Sequence, residues 1–541
     1  MSPAGSLLDA LAAQQGGSLV FHGDDTDAQR FTAGQLLDDA EHDAPTLAAA
    51  GVEPGDTVGL IGPNEHAWVR WAFAVWRAGA TLVPLQFPFR VGDRSALAER
   101  VRAMTGAAGC RLVVGDPALL DVIPGGLALD WTKAAGPGGA AGPAADSPAP
   151  AVAQFTSGTT GAPKAALVGH HAVVQAVRAT GTAYEITADD VFAGWQPFFH
   201  DLGLFGLLLR PLLLGLDAHF VPTARFARDP AEWFRLIGRS RATVTAGPCS
   251  AWGVAIRASR RDTSGCDLSS VRVAGFSADT IEPAIVDSLL RTGFGLDEDS
   301  AAAAYGLAES TLALTVTAPG RGLRFDEVDS GELAATGRAR PPGPGSAGRR
   351  IASCGMTVPG AEIEVVGPDG NAVPDRMVGR IRGRAPYASD GYLGEPPRGR
   401  DAWLETGDLG YVSDGELFFT GRERDEIVVL GRNHPPEELE WAAARVDGVR
   451  AGRTVAFATP GRPEGAATVA VEVRAGANPA ALALMVRRAV TDAVGVTPAE
   501  VLVLLPGTVP KTTSGKVRRG ALRDRHAAGG LNPLARWPAR R

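Results

Sequence analysis

Hydrophobic positions along this chain recur with two alternating periods. Residues 31–50 carry apolar positions at helical spacing, and Thr32 stands where a first-turn cap belongs. Residues 56–61 (DTVGLI) are a continuous apolar run closed by Gly62-Pro63, which predicts a buried strand. A helix over 66–78 and a strand over 80–84 follow. This strand–helix–strand rhythm predicts a parallel sheet with helices on its faces. Residues 134–150 (AAGPGGAAGPAADSPAP) break the rhythm as low-complexity linker or loop. It restarts with a strand over 152–156, a small-residue loop and a strand over 165–168. Between 170 and 320, residues 242–246 and 271–275 are strand-like, while 283–292 and 301–305 flank a further strand–turn region. The most apolar run, 204–216, is interrupted by Arg210 and Pro211. It is too short to span a bilayer and predicts a buried helix.

Beyond residue 340 the period shortens. Residues 363–366, 379–382 and 416–420 are short strands separated by Pro-Asp-Gly and Asp-Gly turns, an antiparallel pattern. This predicts a β-rich subdomain over about 340–420. After Arg424 a smaller α+β unit begins, with strands over 426–430, 454–458, 467–473 and 501–505 and helices over 436–446 and 479–494. Its roughly 115 residues suffice for an independent core. The boundary is placed at 422–425, dividing the chain into 1–422 and 423–541. No tandem repeat is present.

The length of 541 residues exceeds the usual limit of one core. Hydrophobic content of 45% and charged content of 21% are those of a globular protein. With 68 Gly and 39 Pro, turns and long loops are expected, which excludes a helical bundle. A net charge of −7 implies no bulk attraction to nucleic acid. From Lys511 onward the chain has nine Lys or Arg against one Asp, which reads as a solvated tail, with a local anion contact as the alternative. Cys110, Cys249, Cys266 and Cys354 show no metal-type spacing. The first residues lack a basic segment before their apolar positions, so reduced thiols and a cytoplasmic location, with no membrane span, are expected.

One compositional bias directs attention to chemistry. Of 53 basic residues only Lys133, Lys164, Lys511 and Lys516 are lysine. Lys and Arg differ in shape, hydration and pKa plasticity, so a lysine kept against such a drift marks a site where guanidinium does not serve. Three of the four lie in two Gly/Ser/Thr/Pro segments. The first is Thr156-Ser157-Gly158-Thr159-Thr160-Gly161-Ala162-Pro163-Lys164, where consecutive N–H groups can form an anion cradle with Lys164 at its exit. It is not a Walker A loop, because Gly161 is followed by Ala162. An ordinary turn is the alternative. The second, Pro510-Lys511-Thr512-Thr513-Ser514-Gly515-Lys516, also fails that pattern at Pro510 and Val517.

Three further clusters carry candidate groups. Trp195-Gln196-Pro197-Phe198-Phe199-His200-Asp201-Leu202-Gly203 offers an apolar wall with a polar end, or a core turn with a capping His. Tyr305-Gly306-Leu307-Ala308-Glu309-Ser310-Thr311 places a carboxylate among small apolar residues, where it needs a partner. A phosphate-bound Mg²⁺ and an Arg ion pair are the two options. Thr406-Gly407-Asp408-Leu409-Gly410, followed by Gly421-Arg422-Glu423-Arg424-Asp425, sets a carboxylate in a Gly turn, suited to sugar hydroxyls or simply to turn formation.

In this order and at these separations the five motifs resemble the adenylate-forming (acyl-CoA synthetase, AMP-binding) superfamily over roughly residues 30–525. Within it the pattern looks most like fatty acyl-AMP ligases, through the Trp195 and Tyr305 segments, Phe325-Asp326, Ser353-Cys354-Gly355 and Gly431-Arg432-Asn433-His434. The resemblance implies an α/β fold: a large N-terminal domain of two parallel-type αβ sheets plus the β subdomain, with a small mobile α+β C-terminal domain. It implies ATP- and Mg²⁺-dependent activation of a carboxylic, fatty-acid-like substrate to acyl-AMP. Transfer to CoA or to a carrier-protein phosphopantetheine thiol would follow. By the same resemblance Thr156, Ser157, Gly158, Thr159, Thr160, Gly161 and Lys164 hold the outer phosphates. Tyr305 and Gly306 lie beside adenine and Glu309 binds Mg²⁺. Asp408 and Arg422 hold the ribose, and Lys516 bridges carboxylate and α-phosphate. His200 marks the acyl-pocket mouth, and Arg424 is the hinge. Three positions depart from the family pattern: Ala165 after the cradle lysine, Gly275-Phe276 before the Tyr305 segment, and Cys249 in place of Asn. The ligases' hydrophobic insertion is expected between about 320 and 352, in a stretch that is Gly-, Arg- and Pro-rich. Two alternatives stand beside this reading: an acyl-CoA ligase, complete or limited to the thioester step, and a non-catalytic nucleotide-binding scaffold.

Overall fold

The computed structural model describes residues 6–14, 16–23, 27–87, 94–133, 149–156, 163–399, 401–462, 465–511 and 517–538. Two sheets of parallel type form its larger part. In the nine-stranded sheet, strands Ser18–Phe21, Asp217–Phe220, Val191–Gly194, Val244–Gly247, Val273–Phe276 and Ala301–Gly306 run parallel in that spatial order. Antiparallel strands Gln29–Thr32, Ala313–Val316 and Met356–Thr357 complete its edges. In the six-stranded sheet, Ala128–Asp130, Leu112–Gly115, Thr57–Ile61, Thr81–Pro84 and Val152–Phe155 are parallel, and Ala165–Val168 closes the edge antiparallel. Strands such as Leu112–Gly115 are buried on both faces, as a helix-covered parallel sheet requires.

Helix Ala33–Ala49 begins as its sequence predicts. Thr32 accepts from Gln35 N–H at 3.2 Å, and the Gln35 side chain accepts from Thr32 N–H at 2.9 Å, a reciprocal cap. Helix His66–Arg77 buries Trp68, Trp71 and Phe73 in the core that the sheets share. The apolar run after His200 is not a regular α-helix. Leu202–Leu209 is wound as a π-helix and passes into the short α-helix Arg210–Leu213.

The β-rich part is an antiparallel meander of Glu362–Val366, Gly379–Arg384, Leu404–Ser413 and Glu416–Arg422. Its last two strands are joined by Asp414-Gly415, both at positive φ (53° and 78°), the two-residue turn that an Asp-Gly pair favours. Asp408 therefore lies inside a ten-residue strand, cross-paired with Arg422, and not in the free Gly turn that its neighbours suggested. The stretch expected to hold an insertion forms strand Phe325–Asp329, helix Ser330–Thr336 and strand Gly348–Ala352.

After the single turn Glu423–Asp425, the remaining elements form their own apolar cluster, from Ile427 to Val503 with Trp537 against it. Strands Val449–Ala458, Ala467–Val473, Glu500–Leu504 and Ala535–Trp537 make its sheet, with helices Pro436–Ala444, Pro479–Val494 and Arg519–Ala527. The basic C-terminal stretch is thus not a solvated tail. Arg519 is mostly buried and pairs with Asp425 (2.9 Å), Glu437 (3.0 Å) and Glu440 (3.0 Å), and Arg536 pairs with Glu500 at 2.8 Å. Among the described residues no helix is long and apolar enough to cross a membrane.

Candidate active site

Strand Val152–Phe155 leads into Thr156, whose N–H donates to Lys164 carbonyl at 3.0 Å across the segment expected to form the cradle. Ser157, Gly158, Thr159, Thr160 and Gly161 lie outside the described residues. At the cradle's exit, Lys164 Nζ is 2.8 Å from Glu395 Oε1 and 5.0 Å from the centre of the Tyr392 ring. The Tyr392 hydroxyl donates to Glu309 Oε1 at 2.5 Å. Residues 389–393 form a strap that makes this possible. Leu167 N–H donates to Gly391 carbonyl, Leu393 N–H to Ala165 carbonyl and Ser389 N–H to Glu309 carbonyl, each at 2.8 Å. The strap joins the cradle's exit strand to the Glu309 turn, and with them the lysine to the carboxylate.

A second cluster lies at the end of strand Ala301–Gly306. The Tyr305 hydroxyl donates to Asp408 Oδ2 at 2.9 Å, and Arg422 Nε is 3.3 Å from Asp408 Oδ1. Burial first, and then the Asp408 charge, push the Tyr305 hydroxyl well above its ordinary pKa, so it remains a donor. Gly306 is needed for close approach: a Cβ there would stand 2.3 Å from the Leu312 carbonyl oxygen as the chain doubles back around Glu309.

The His200 segment is fastened from two sides. Gln154 Nε2 donates to Phe199 carbonyl at 3.0 Å, from the strand that carries the cradle. Asn64 accepts from Phe198 N–H at 3.0 Å and donates to Gln196 carbonyl at 2.5 Å. The His200 ring packs against Phe199 with centroids 4.9 Å apart, at the start of the π-helix. The first two motifs therefore share one wall.

The departures from the expected pattern are absorbed locally. Phe276 is fully buried and stacks on Trp252 at 5.3 Å, so its ring occupies core. Cys249 is buried, and its sulfur accepts from Glu282 N–H at 3.3 Å.

Lys516 lies outside the described residues, but its flanks do not. Lys511 pairs antiparallel with Val517 across the turn. Burial, with Arg453 beside it, lowers the Lys511 pKa to about 8, while Glu472 and Asp279 oppose the shift. Asp279 and Arg257, both of which act on Lys511, belong to the nine-stranded part. Arg518 acts on Arg100 of helix Arg94–Ala108, which covers the six-stranded sheet. The pKa of Arg424 is lowered by burial and then by Arg422, with Asp425 and Asp408 opposing.

A family model described as AMP-binding enzyme matches residues 8–393. The chain belongs to the AMP-binding enzyme family. It is 34% identical to a Caulobacter vibrioides protein provisionally named an acyl-CoA synthetase, over 92% of this chain and 90% of that one. It is 30% identical to the Moorena producens medium-chain-fatty-acid–[acyl-carrier-protein] ligase JamA, over 78% of this chain and 73% of that one. A solved structure from work on fatty acyl-adenylate ligases of E. coli and L. pneumophila superposes with a TM-score of 0.90 at 28% identity, covering 97% of this chain and 98% of that one.

Sequence reasoning missed three groups in this AMP-binding enzyme. Tyr392 and Glu395 sit in a Pro/Gly-rich stretch with no periodic signal, and Asp279 sits in a loop. Tyrosine scarcity was an available clue. Of the chain's five tyrosines, Tyr305, Tyr392 and Tyr411 each donate to a carboxylate: Asp408, Glu309 and Asp326.

Proposed function

We propose that this enzyme uses ATP to convert a carboxylic acid to its acyl-adenylate and then passes the acyl group to the phosphopantetheine thiol of a carrier protein. In the first step a carboxylate oxygen attacks the α-phosphorus, the bond to pyrophosphate breaks, and acyl-AMP forms. In the second a thiol adds to the acyl carbonyl, and AMP leaves. In-line displacement at phosphorus is accelerated mainly by positioning and charge neutralisation.

The observation that carries this reading is the strap that holds Lys164 and Glu309 within reach of one tyrosine. Lys164 and the cradle residues 156–161 take the outer phosphates. Tyr305 with Gly306 borders the adenine, Asp408 with Arg422 holds the ribose hydroxyls, and His200 stands at the acyl mouth. Glu309 fits Mg²⁺: it is a hard oxygen donor whose Oε1 accepts from the Tyr392 hydroxyl. Among the described residues no group of three potential ligands surrounds a metal, so phosphate oxygens would supply the rest, as is usual for this ion. When bound, Mg²⁺ neutralises phosphate charge. Lys516 adds a positive charge between the carboxylate and the α-phosphate, and the small domain 423–541 turns about Arg424 between the two steps, a motion of the microsecond-to-millisecond class.

CoA as the thiol is the second reading, favoured by the name of the Caulobacter relative. Incubation with ATP, Mg²⁺ and an acid panel, with CoA or phosphopantetheinylated carrier added separately, separates the two. Accumulated acyl-AMP without a CoA thioester supports the carrier. Lys516→Ala is expected to cut acyl-AMP formation by orders of magnitude while sparing thiolysis of supplied acyl-AMP. Near wild-type pyrophosphate exchange in that variant would refute the assigned role.

A further inference from the structure

The most apolar stretch of the chain holds one buried cation with no acidic partner. Arg210 is 5% exposed. Its backbone N–H donates to Phe205 carbonyl, five residues back, in the π register. In that register the Gly206 carbonyl faces Pro211, which has no N–H to give. Arg210 Nε takes the orphaned carbonyl at 3.0 Å. The guanidinium carbon lies 5.4 Å from the Tyr184 ring centre and 5.7 Å from that of Phe192. Among the described residues no carboxylate pairs with it, and the hydrogen bond its side chain makes is the one from Nε. Tyr184 is the titratable group that acts on it.

These contacts do not balance the burial. Taking a cation out of water costs several kcal/mol even after relaxation. Two ring contacts return about 0.5–2 kcal/mol each, and one carbonyl bond satisfies one of five donors. An anion is the group that would close the difference.

The free edge of the guanidinium has a direction. A Cβ on Gly206 would stand 3.2 Å from Arg210 Nη2, 3.1 Å from Leu202 Cδ1 and 3.7 Å from Leu312 Cδ2. Leu202 is two residues from His200, and Leu312 is three from Glu309. Nη2 therefore lies between the helix that starts at the acyl mouth and the turn that carries Glu309, and a side chain at Gly206 would crowd it.

We propose that Arg210 forms the far wall of the acyl pocket and that the acid this enzyme activates bears a second carboxylate at its distal end. The inference rests on the acid-activation reading above. A plain fatty acid would press a methyl group against the charged Nη edge, whereas a terminal carboxylate accepts from that edge and neutralises the charge.

The test is acid-dependent pyrophosphate release with α,ω-dicarboxylic acids, monocarboxylic acids and ω-hydroxy acids of matched chain length. The wild-type enzyme is expected to favour the dicarboxylate over the monocarboxylate in kcat/KM by about 100-fold or more, as sites built around a polar partner do. Arg210→Met is expected to reverse that order, and Arg210→Lys to retain it. Wild-type preference for monocarboxylates at every length, or an unchanged ratio in Arg210→Met, would overturn the inference. Equal use of ω-hydroxy acids would overturn the demand for an anion. Should Arg210→Met not fold, Gly206→Ala serves instead: its methyl group crowds Nη2 and lowers dicarboxylate turnover selectively, and an equal loss on both series overturns the proposal. Pyrophosphate from no acid at all would overturn the acid-activation reading itself, and this inference with it.

Discussion

Tyr392→Phe isolates the strap's chemical contribution from its fold. The change deletes one hydroxyl, the donor to Glu309 Oε1 at 2.5 Å, and keeps the ring 5.0 Å from Lys164 Nζ. The strap's backbone bonds to Ala165, Leu167 and Glu309 do not involve the side chain. A hydrogen bond to a carboxylate in a half-buried setting contributes about 1.5–3 kcal/mol. If that bond fixes the carboxylate for the metal, its loss lowers kcat/KM for ATP by about 10- to 100-fold, at 1.4 kcal/mol per decade. The Mg²⁺ concentration for half-maximal rate rises in parallel. The effect is flat with pH, because burial and then Glu309 hold the Tyr392 hydroxyl above its ordinary pKa and it donates throughout the working range. Pyrophosphate release as a function of Mg²⁺ measures all three. A double-mutant cycle with Glu309→Gln should give a coupling above about 1 kcal/mol. Superposed Mg²⁺ titrations, or a coupling within about 0.3 kcal/mol of zero, would show that the two side chains are neighbours without a shared task.

Two smaller effects follow from the same neighbourhood. Lys164 and Glu395 have half-exposed side chains (56% and 48%), so releasing the lysine from its carboxylate is worth at most about 1 kcal/mol. Glu395→Gln should therefore lower KM for ATP by up to about fivefold at low salt, and a raised KM would mean that Glu395 helps to bind the nucleotide. The pKa of Lys511 in the folded chain, about 8, is below its ordinary 10.5, so below pH 8 folding must keep a buried charge. That cost fades between pH 8 and 10.5 and is gone above, where both states are neutral. Lys511→Met is expected to raise the thermal midpoint at pH 7 and to lose that advantage as pH approaches 10.5. A midpoint gain that grew with pH would refute it.

Much of this architecture was legible because local signals agreed with it. The reciprocal cap at Thr32, the run 56–61 and the Asp-Gly turn each state one local geometry, and each folds that way. The helix read at 479–494 is Pro479–Val494 in the structure, with Asn478 accepting from the Ala480 and Ala481 N–H groups. What stayed hidden depends on contacts between distant segments. The Gly407 and Gly410 neighbours of Asp408 look like turn residues, yet Gly407 serves at φ +70° inside a strand, and Gly410 has no room for a Cβ against the Phe418 carbonyl. The basic C-terminal stretch looked solvated because charge alone does not reveal three buried carboxylates waiting in another segment. A π register has no sequence period of its own, so the apolar run after His200 read as an ordinary helix. Only the pairing of Gly206 with Pro211 at a five-residue interval hinted otherwise.

The retained lysines can now be argued from their surroundings. Lys164 meets one carboxylate oxygen and one ring face, a site for a point charge on a flexible stem. Lys511 is flanked by Arg453 and Arg257, and a third guanidinium there could not shed its charge, whereas an ammonium can. The flanks of the 512–516 segment act on different parts of the fold, Lys511 on Asp279 of the nine-stranded part and Arg518 on Arg100 of the six-stranded part. The same arrangement is held by Arg349 and Glu438, 2.5 Å apart and largely buried, which tie strand Gly348–Ala352 to helix Pro436–Ala444. On the function proposed above, a turn of residues 423–541 about Arg424 would separate that pair, so the pair favours the arrangement seen here.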